Sequence, residues 1–360
     1  MKIGIITYYQ INNHGALLQA TALKKVLESM GHTVEFLSYT RDYSFVSKDK
    51  VNKYKISAKS IPFYLNYMRQ KGVGSILFNL KKNKLFGAYR DSYIKAVTPY
   101  NEFDGDMVII GSDEVFSLDI GVNPFMFGNG LHATSVISYA GSFGPTTYDY
   151  IRNHKLIDMV SEGFGKMDFI SVRDQNSRNI VQKITGDEAP MVCDPVLLYG
   201  FAKEQAESRP DMKNYILVYS YDHSMSDPGE IAKIKEFARR EKKKVISVGF
   251  YHSWADKCIN VEPIDILKWI KNADFVITDT FHGSVMSIIC NTPMAVMVRD
   301  NSNKLRYLLT EYGLENRILT DFSELEDKAN ELVDFETVNN RVQGKRAESL
   351  DYLVRAMGDK

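Results

Sequence analysis

Cysteine is scarce in this chain: Cys193, Cys258 and Cys290 are an odd number, far apart in 360 residues. That excludes a disulfide framework or a thiolate metal site as the organising device, and it points to a reducing compartment. Long apolar runs are missing as well, and none approaches the ~18 residues of a membrane span. The opening MKIGIITYY has a single lysine and a short apolar run with no small-residue cleavage site, which is not the pattern of a secretory signal. A soluble cytoplasmic protein is the expectation. No Gly-x-Gly-x-x-Gly fingerprint follows the first strand, so a dinucleotide is not indicated. The seven histidines are scattered without metal-ligand spacing, which argues against a metallohydrolase. A Ser-His-Asp order and a Cys-His pair are missing too.

Net charge is also absent, with 45 basic and 45 acidic residues, but the balance is uneven along the chain. Residues 48–95 hold twelve Lys or Arg against Asp49 and Asp91, so this segment carries about +10 and the remainder about −10. Tyr54, Phe63, Tyr64, Tyr67, Phe78, Phe86, Tyr89 and Tyr93 are interleaved with the cations. One reading is a helical excursion that packs its aromatics inward and solvates its lysines. The other is a basic amphipathic surface that meets an anionic membrane or an acidic acceptor. Nucleic acid is disfavoured, because no stacking-platform motif accompanies the lysines.

What the sequence does have is alternation. KIGIITYY reads as a strand, residues 15–30 as a helix stopped by Gly31, and TVEFLSY as the next strand. After the basic excursion come the strands MVIIG and VISYAG, a helix, FISVR and MVCDPVLL. The polar stretch 199–213, with Pro210, reads as a linker. The alternation then restarts with YILVYSY, a helix over 228–240, KVISVGF, a helix over 263–272, FVITD, a helix over 283–290 and MAVMV. Two charged helices, over about 323–334 and 336–357, close the chain. Strands alternating with helices predict parallel sheets covered on both faces. The expected architecture is α/β: two Rossmann-like doubly wound domains, over 1–198 and 214–322, facing each other across a cleft.

In such folds ligands lie beyond the carboxyl ends of the strands, so the residues just after each strand are the candidates. After the first strand, Asn13 and Gly15 open a helix whose N–H groups suit an anion or a sugar hydroxyl, while Asn13 could equally serve as the helix cap. After MVIIG, Asp113 and Glu114 could bind sugar hydroxyls or cap the next helix. After FISV, Arg173 could grip a carboxylate or phosphate through two parallel hydrogen bonds, or pair with Asp174. Asp194-Pro195 reads as structural, since proline biases Asp194 towards extended backbone. After FVIT come Asp279, Thr280, Phe281 and His282, then Gly283 and Ser284 in a first helical turn. There the backbone suits an anion, and an imidazole can exchange a proton at cellular pH. Position alone leaves His282 open between catalytic and structural roles.

The stretches NNHGALLQATAL, DMVIIGSDEVF, ISYAGSFG, ISVRDQNS, VCDPVLL, ITDTFHGSVMSIICNTPMAVM and NSNKLRYLLTEYGLENRIL together resemble the polysaccharide pyruvyl transferase family, over residues 3–319. The resemblance implies a fold similar to the B-type glycosyltransferases. It also implies transfer of the enolpyruvyl unit of phosphoenolpyruvate to two hydroxyls of a sugar, giving a pyruvate ketal and phosphate. The sugar would belong to a bacterial surface polysaccharide or its precursor, and could be lipid-linked. Phosphoenolpyruvate would be the co-substrate, with no further cofactor and no metal. By this resemblance the donor side comprises Arg173, Thr280, Phe281, Gly283, Ser284 and Lys304, with His282 and Arg173 catalytic. The acceptor side comprises Asn13, Gly15, Asp113, Glu114 and Phe116.

Three positions depart from the family pattern. Thr280-Phe281-His282 stands where a branch of the family has Arg-Leu-His, Lys304 aligns with an arginine of many relatives, and Gly111-Ser112-Asp113-Glu114-Val115-Phe116 replaces Gly-Ser-Asp-Gln-x-Trp. The alternative readings are a glycosyltransferase using a nucleotide sugar, and a non-catalytic glycan-binding module.

Overall fold

A computed structural model describes residues 1–42, 61–206, 210, 212–299 and 303–358. The first sheet contains β1 (Lys2–Ile6), β2 (Thr33–Phe36), β3 (Met107–Ile110) and β4 (Ser135–Ser138), all parallel in the order β2-β1-β3-β4. All four residues of β3 are buried, as expected of a strand covered on both faces. Helix α1 (His14–Ser29) makes the first crossover, and α2 (Ile61–Tyr89) returns the chain towards β3. Three short helices, α3 (Tyr148–Asn153), α4 (Ile157–Phe164) and α5 (Gln175–Thr185), follow β4.

The second sheet contains β5 (Tyr215–Tyr219), β6 (Lys244–Val248), β7 (Lys257–Ile259), β8 (Phe275–Thr278), β9 (Met294–Met297) and β10 (Ile318–Leu319). Its order is β10-β9-β8-β5-β6-β7, again parallel. The period of two along β5 is visible in the packing. Leu217 and Tyr219 join a core shared with the first sheet, while Ile216 and Val218 face a second cluster with Ile234 and Phe237 of α8 (Pro228–Arg240). In each sheet the strand order reverses beside the first strand, between β1 and β3 and between β5 and β8. These are the points where loops diverge and leave a crevice.

Several sequence expectations are corrected. FISVR and MVC form isolated bridges (Ile137 with Phe169, Gly141 with Val172, Val172 with Met191) rather than regular strands. Side-chain hydroxyls take over the ladder there: Ser171 N–H donates to Ser138 Oγ at 3.0 Å, and Ser171 Oγ donates to the Ser138 carbonyl at 3.0 Å. The stretch 199–213, read as a linker, begins at the last residue of α6 (Pro195–Tyr199) and carries the short helix α7 (Ala202–Ala206). There Gln205 donates to the carbonyls of Gly200 (2.8 Å) and Ile289 (3.2 Å). After α9 (Ile266–Lys271), α10 (Phe281–Cys290), α11 (Asn303–Tyr312) and α12 (Leu325–Asn330), the last helix, α13 (Phe335–Ala356), crosses back to the first domain. Tyr352 donates to the Ser138 carbonyl at 2.7 Å, and Ser349 Oγ accepts from Cys193 N–H at 2.9 Å. Among the described residues no helix is long and apolar enough to cross a membrane.

Candidate functional site

The two sheets direct their carboxyl edges at a common seam, and α1 is driven into it. Asn13 caps α1 by accepting from the N–H groups of Gly15 (2.8 Å) and Ala16 (3.4 Å), so the capping reading holds for its side chain. His14 is fully buried against Phe86 and Tyr219, its Nε2 3.3 Å from the Val261 carbonyl. Burial, with Lys82 nearby, pushes its pKa well below the ordinary value. Gly15 lies against the ring of His282, where a Cβ would come within 2.1 Å of the imidazole Cγ. A glycine is therefore required for the close approach of α1 to the second domain.

From the first domain, the loop after β3 supplies two acids. A buried network shapes this loop: Gln19 Oε1 accepts from Ser112 N–H (3.1 Å), and Thr7 Oγ1 donates to the Ser112 carbonyl (2.8 Å). Asp113, at φ 79°, occupies the left-handed region that Asp tolerates better than most residues. Its carboxylate lies 3.0 Å from Arg173 Nη2, while Asp194 Oδ2 lies 2.8 Å from Nη1. Arg173 is thus held by two carboxylates and does not pair with Asp174, which caps α5 through Ser177 N–H. Its guanidinium stacks 4.7 Å from the Phe281 ring centroid, and its buried Nε has no hydrogen-bond partner among the described residues. Burial opposes the charge, but Asp113, Asp194 and Glu114 hold the guanidinium pKa above its usual value.

From the second domain, α10 begins at Phe281, so His282 occupies the first helical turn and is buried, in place of the polar turn read from the sequence. Thr280 caps this helix, its Oγ1 accepting from Gly283 N–H at 3.0 Å. Ser284 Oγ is turned back to the Thr280 carbonyl at 3.2 Å. Both hydroxyls therefore serve the helix start. A Cβ at Gly283 would lie 2.2 Å from Thr278 Oγ1, so this position is sterically reserved for glycine. His282 Nε2 makes no hydrogen bond among the described residues and lies 3.6 Å from Asp194 Oδ2, the same oxygen that pairs with Arg173. Burial works to protonate Asp194, yet His282 and Arg173 hold its carboxyl below the usual carboxylate range.

Lys304, near the start of α11, reaches across the seam to Glu114. Glu114 is desolvated, but Lys304, Arg173 and His282 together keep its carboxyl below the usual range. Burial acts against the Lys304 charge and Glu114 outweighs it, raising the amine. The structure thus gathers Arg173, His282, Phe281, Lys304, Asp113, Glu114 and Gly15 at one seam. Phe116 does not join them: it is fully buried in a cluster with Phe127, Phe143 and Phe164, and it presents no face to a sugar. Its side chain fits there because Gly141 lies against the ring.

Two participants were missed from the sequence. Asp194 is the hub between Arg173 and His282, and also caps α6 by accepting from Val196 N–H at 2.9 Å. The sequence reading stopped at the extended backbone that proline imposes on Asp194, and neither the cap nor the pairing was read from it. Asp279 has both carboxylate oxygens buried without a hydrogen-bond partner among the described residues, with Arg299 Nε 3.6 Å away, and burial raises its pKa.

Two parallel α/β domains with their strand ends facing one seam, and cations from both domains meeting there, constitute the two-domain architecture of the B-type glycosyltransferases and UDP-N-acetylglucosamine 2-epimerases. A protein from Listeria monocytogenes assigned as such an epimerase superposes with a TM-score of 0.54, at 13% identity over 99% of this chain and 96% of that one. The S. aureus MnaA–UDP structure gives 0.50 at 10% identity, over 99% and 96%. A further UDP-N-acetylglucosamine 2-epimerase gives 0.51 at 11% identity, over 100% and 96%. At these identities the likeness is one of fold. A comparison with curated protein sequences gave no match. The polysaccharide pyruvyl transferase family matches over residues 13–301, and the chain belongs to that family.

Proposed function

We propose that the protein transfers pyruvate from phosphoenolpyruvate to two hydroxyls of a sugar in a bacterial surface polysaccharide or its precursor. The product is a cyclic ketal, and inorganic phosphate is released. Beyond family membership, one observation carries this reading. Arg173 and His282, from different domains, converge on a single oxygen of Asp194, and both retain a buried nitrogen without a hydrogen-bond partner among the described residues. A compact trianion such as phosphoenolpyruvate needs buried cationic donors, and Arg173 and Lys304 supply two charges there, balanced at the seam by Asp113, Asp194 and Glu114.

In the reaction, His282 gives a proton to the methylene carbon, C2 becomes electrophilic, and one sugar hydroxyl adds to it. The neutral imidazole takes up the proton of that hydroxyl. The C2–O bond to phosphate then breaks with its electron pair, and the second hydroxyl closes the ring at C2, its proton leaving with the phosphate. Asp194 remains ionised opposite His282 and fixes the ring's orientation. Lys304, released from Glu114, meets the phosphate as a point charge, and Glu114 is then free to accept from a sugar hydroxyl.

Lys304→Ala should raise the phosphoenolpyruvate KM by roughly 10- to 100-fold, the worth of one charged hydrogen bond. Steady-state phosphate release checks this, together with the mass of the sugar product, which gains one pyruvate less one water. An unchanged KM removes Lys304 from the donor site. Phosphate release without the mass gain in any acceptor contradicts ketal formation.

A further inference from the structure

The basic excursion carries a second apolar face that no described residue covers. The part of it over residues 43–60 lies outside the described residues, and α2 is interrupted at Gly72 (φ 76°, ψ 166°), so the face is read from Val73 onwards. One side of this helix is fully committed. Phe78, Lys82, Phe86 and Tyr89 are buried, with Phe78 against Tyr251, Lys82 over Phe250 and Tyr89 bonded to Thr21. Of the aromatics whose side chains are described, Phe78, Phe86 and Tyr89 pack inward, as one of the two sequence readings expected, while Tyr93 is exposed and Lys82 is buried in place of solvated.

The opposite side should then be polar, and it is not. Val73 is 67% exposed, Leu77 56% and Leu80 59%, at the i, i+4, i+7 spacing that lines one helical face. Lys81 and Lys84 are exposed on the same side. Just past the helix, Tyr93 is 44% and Val97 80% exposed, with Lys95 exposed between them. Residues 73–97 hold five cations against Asp91 as the single acid. Contiguous exposed leucine and valine in a soluble domain mark a docking surface, and the surrounding lysines select what docks.

We propose that this face of α2 lies on an anionic lipid surface, with Val73, Leu77 and Leu80 entering the acyl boundary and Lys81, Lys84 and Lys95 engaging lipid phosphates. An acidic protein would match the lysines but would not require three aliphatic side chains on successive turns. A purely apolar partner would be opposed by the cations. A bilayer interface supplies both layers at the depth of one helix radius. The inference is independent of the donor chemistry, because the face is opposite to the one packed on the two domains.

The test is flotation of the full chain with phosphatidylglycerol-containing vesicles and with pure phosphatidylcholine vesicles, without substrates. Binding to the anionic vesicles that weakens with salt is expected. Lys81→Glu with Lys84→Glu should weaken it by at least ~25-fold, at about five-fold for each lost lysine. Leu77→Glu with Leu80→Glu should abolish it, with an unchanged melting temperature since both side chains are exposed. No flotation of the wild type overturns the proposal, as does undiminished flotation of the leucine variant. So does a dimer in light scattering that the leucine variant dissociates while vesicle binding is absent.

Discussion

Replacing His282 with alanine should slow phosphate release from phosphoenolpyruvate, measured with a competent acceptor, by ~10²- to 10⁴-fold, the usual worth of one positioned proton donor. The fold should survive. Asp194 keeps its 2.8 Å pair with Arg173 and its cap on α6, so no buried charge is left alone. Thr280 still caps α10 through Gly283 N–H, and the space lost is the imidazole packed on Gly15. The melting temperature should therefore fall by only a few degrees, while kcat falls much further. A variant that keeps near-wild-type turnover would move the proton donor elsewhere and leave His282 as a packing residue.

Asp194→Ala should have the opposite profile, failing in stability as well as in rate. It deprives a fully buried guanidinium of one of its two carboxylates, strips α6 of its cap and leaves His282 without its partner. Breaking a buried pair from one side costs about 3–5 kcal/mol. Asp194→Asn has one acceptor oxygen where Asp194 uses two, Oδ1 for Val196 N–H and Oδ2 for Arg173, so it keeps the cap but gives up the Arg173 acceptor together with the charge. The pH dependence has a definite sign. The Asp194 carboxyl is held below its unfolded value of ~3.9, so its contribution is complete above that pH and is lost as pH falls through the lower folded value. The stability gap between wild type and Asp194→Asn should be constant from neutral pH down to about 4 and should narrow below it. Denaturant titrations across that range measure the gap, and a gap that widens in acid would show that Asp194 is not held ionised by its partners.

Much of this molecule was legible in its sequence because the strands are fully buried. MVII, FVIT and MAVM are short, almost wholly apolar and almost wholly buried, which suits a strand, and the helix over 228–240 was bounded by Pro228 and a basic last turn. The three-residue β7, KCI, had no such signal, being half-exposed on the sheet edge. FISVR looked like a strand because it is short and rich in apolar β-formers; serine hydroxyls bonded to the backbone in place of a ladder are invisible to a hydrophobic pattern. Within the site, the rule that ligands lie beyond strand ends found Arg173, His282, Asp113 and Glu114. It passed over Asp194, read as structural because proline biases it towards extended backbone, and the family resemblance put Phe116 on the acceptor side, where the structure buries it. Whether an aromatic next to an acidic loop faces the cleft or the core depends on what lies behind it. Here that is Gly141 with three other phenylalanines. Long-range pairings of this kind, such as Lys304 with Glu114, are set by how the domains meet and have no local signature.

The central claim is that the seam binds phosphoenolpyruvate, and thermal stability with and without that compound tests it most directly, with UDP and GDP as comparators. At ~100 times its Kd the ligand should stabilise the protein by about 2.7 kcal/mol, a clear rise in melting temperature. The account predicts that phosphoenolpyruvate alone gives this rise and that Lys304→Ala diminishes it. A rise with UDP or GDP and none with phosphoenolpyruvate would contradict the account and identify the seam as a nucleotide-sugar site.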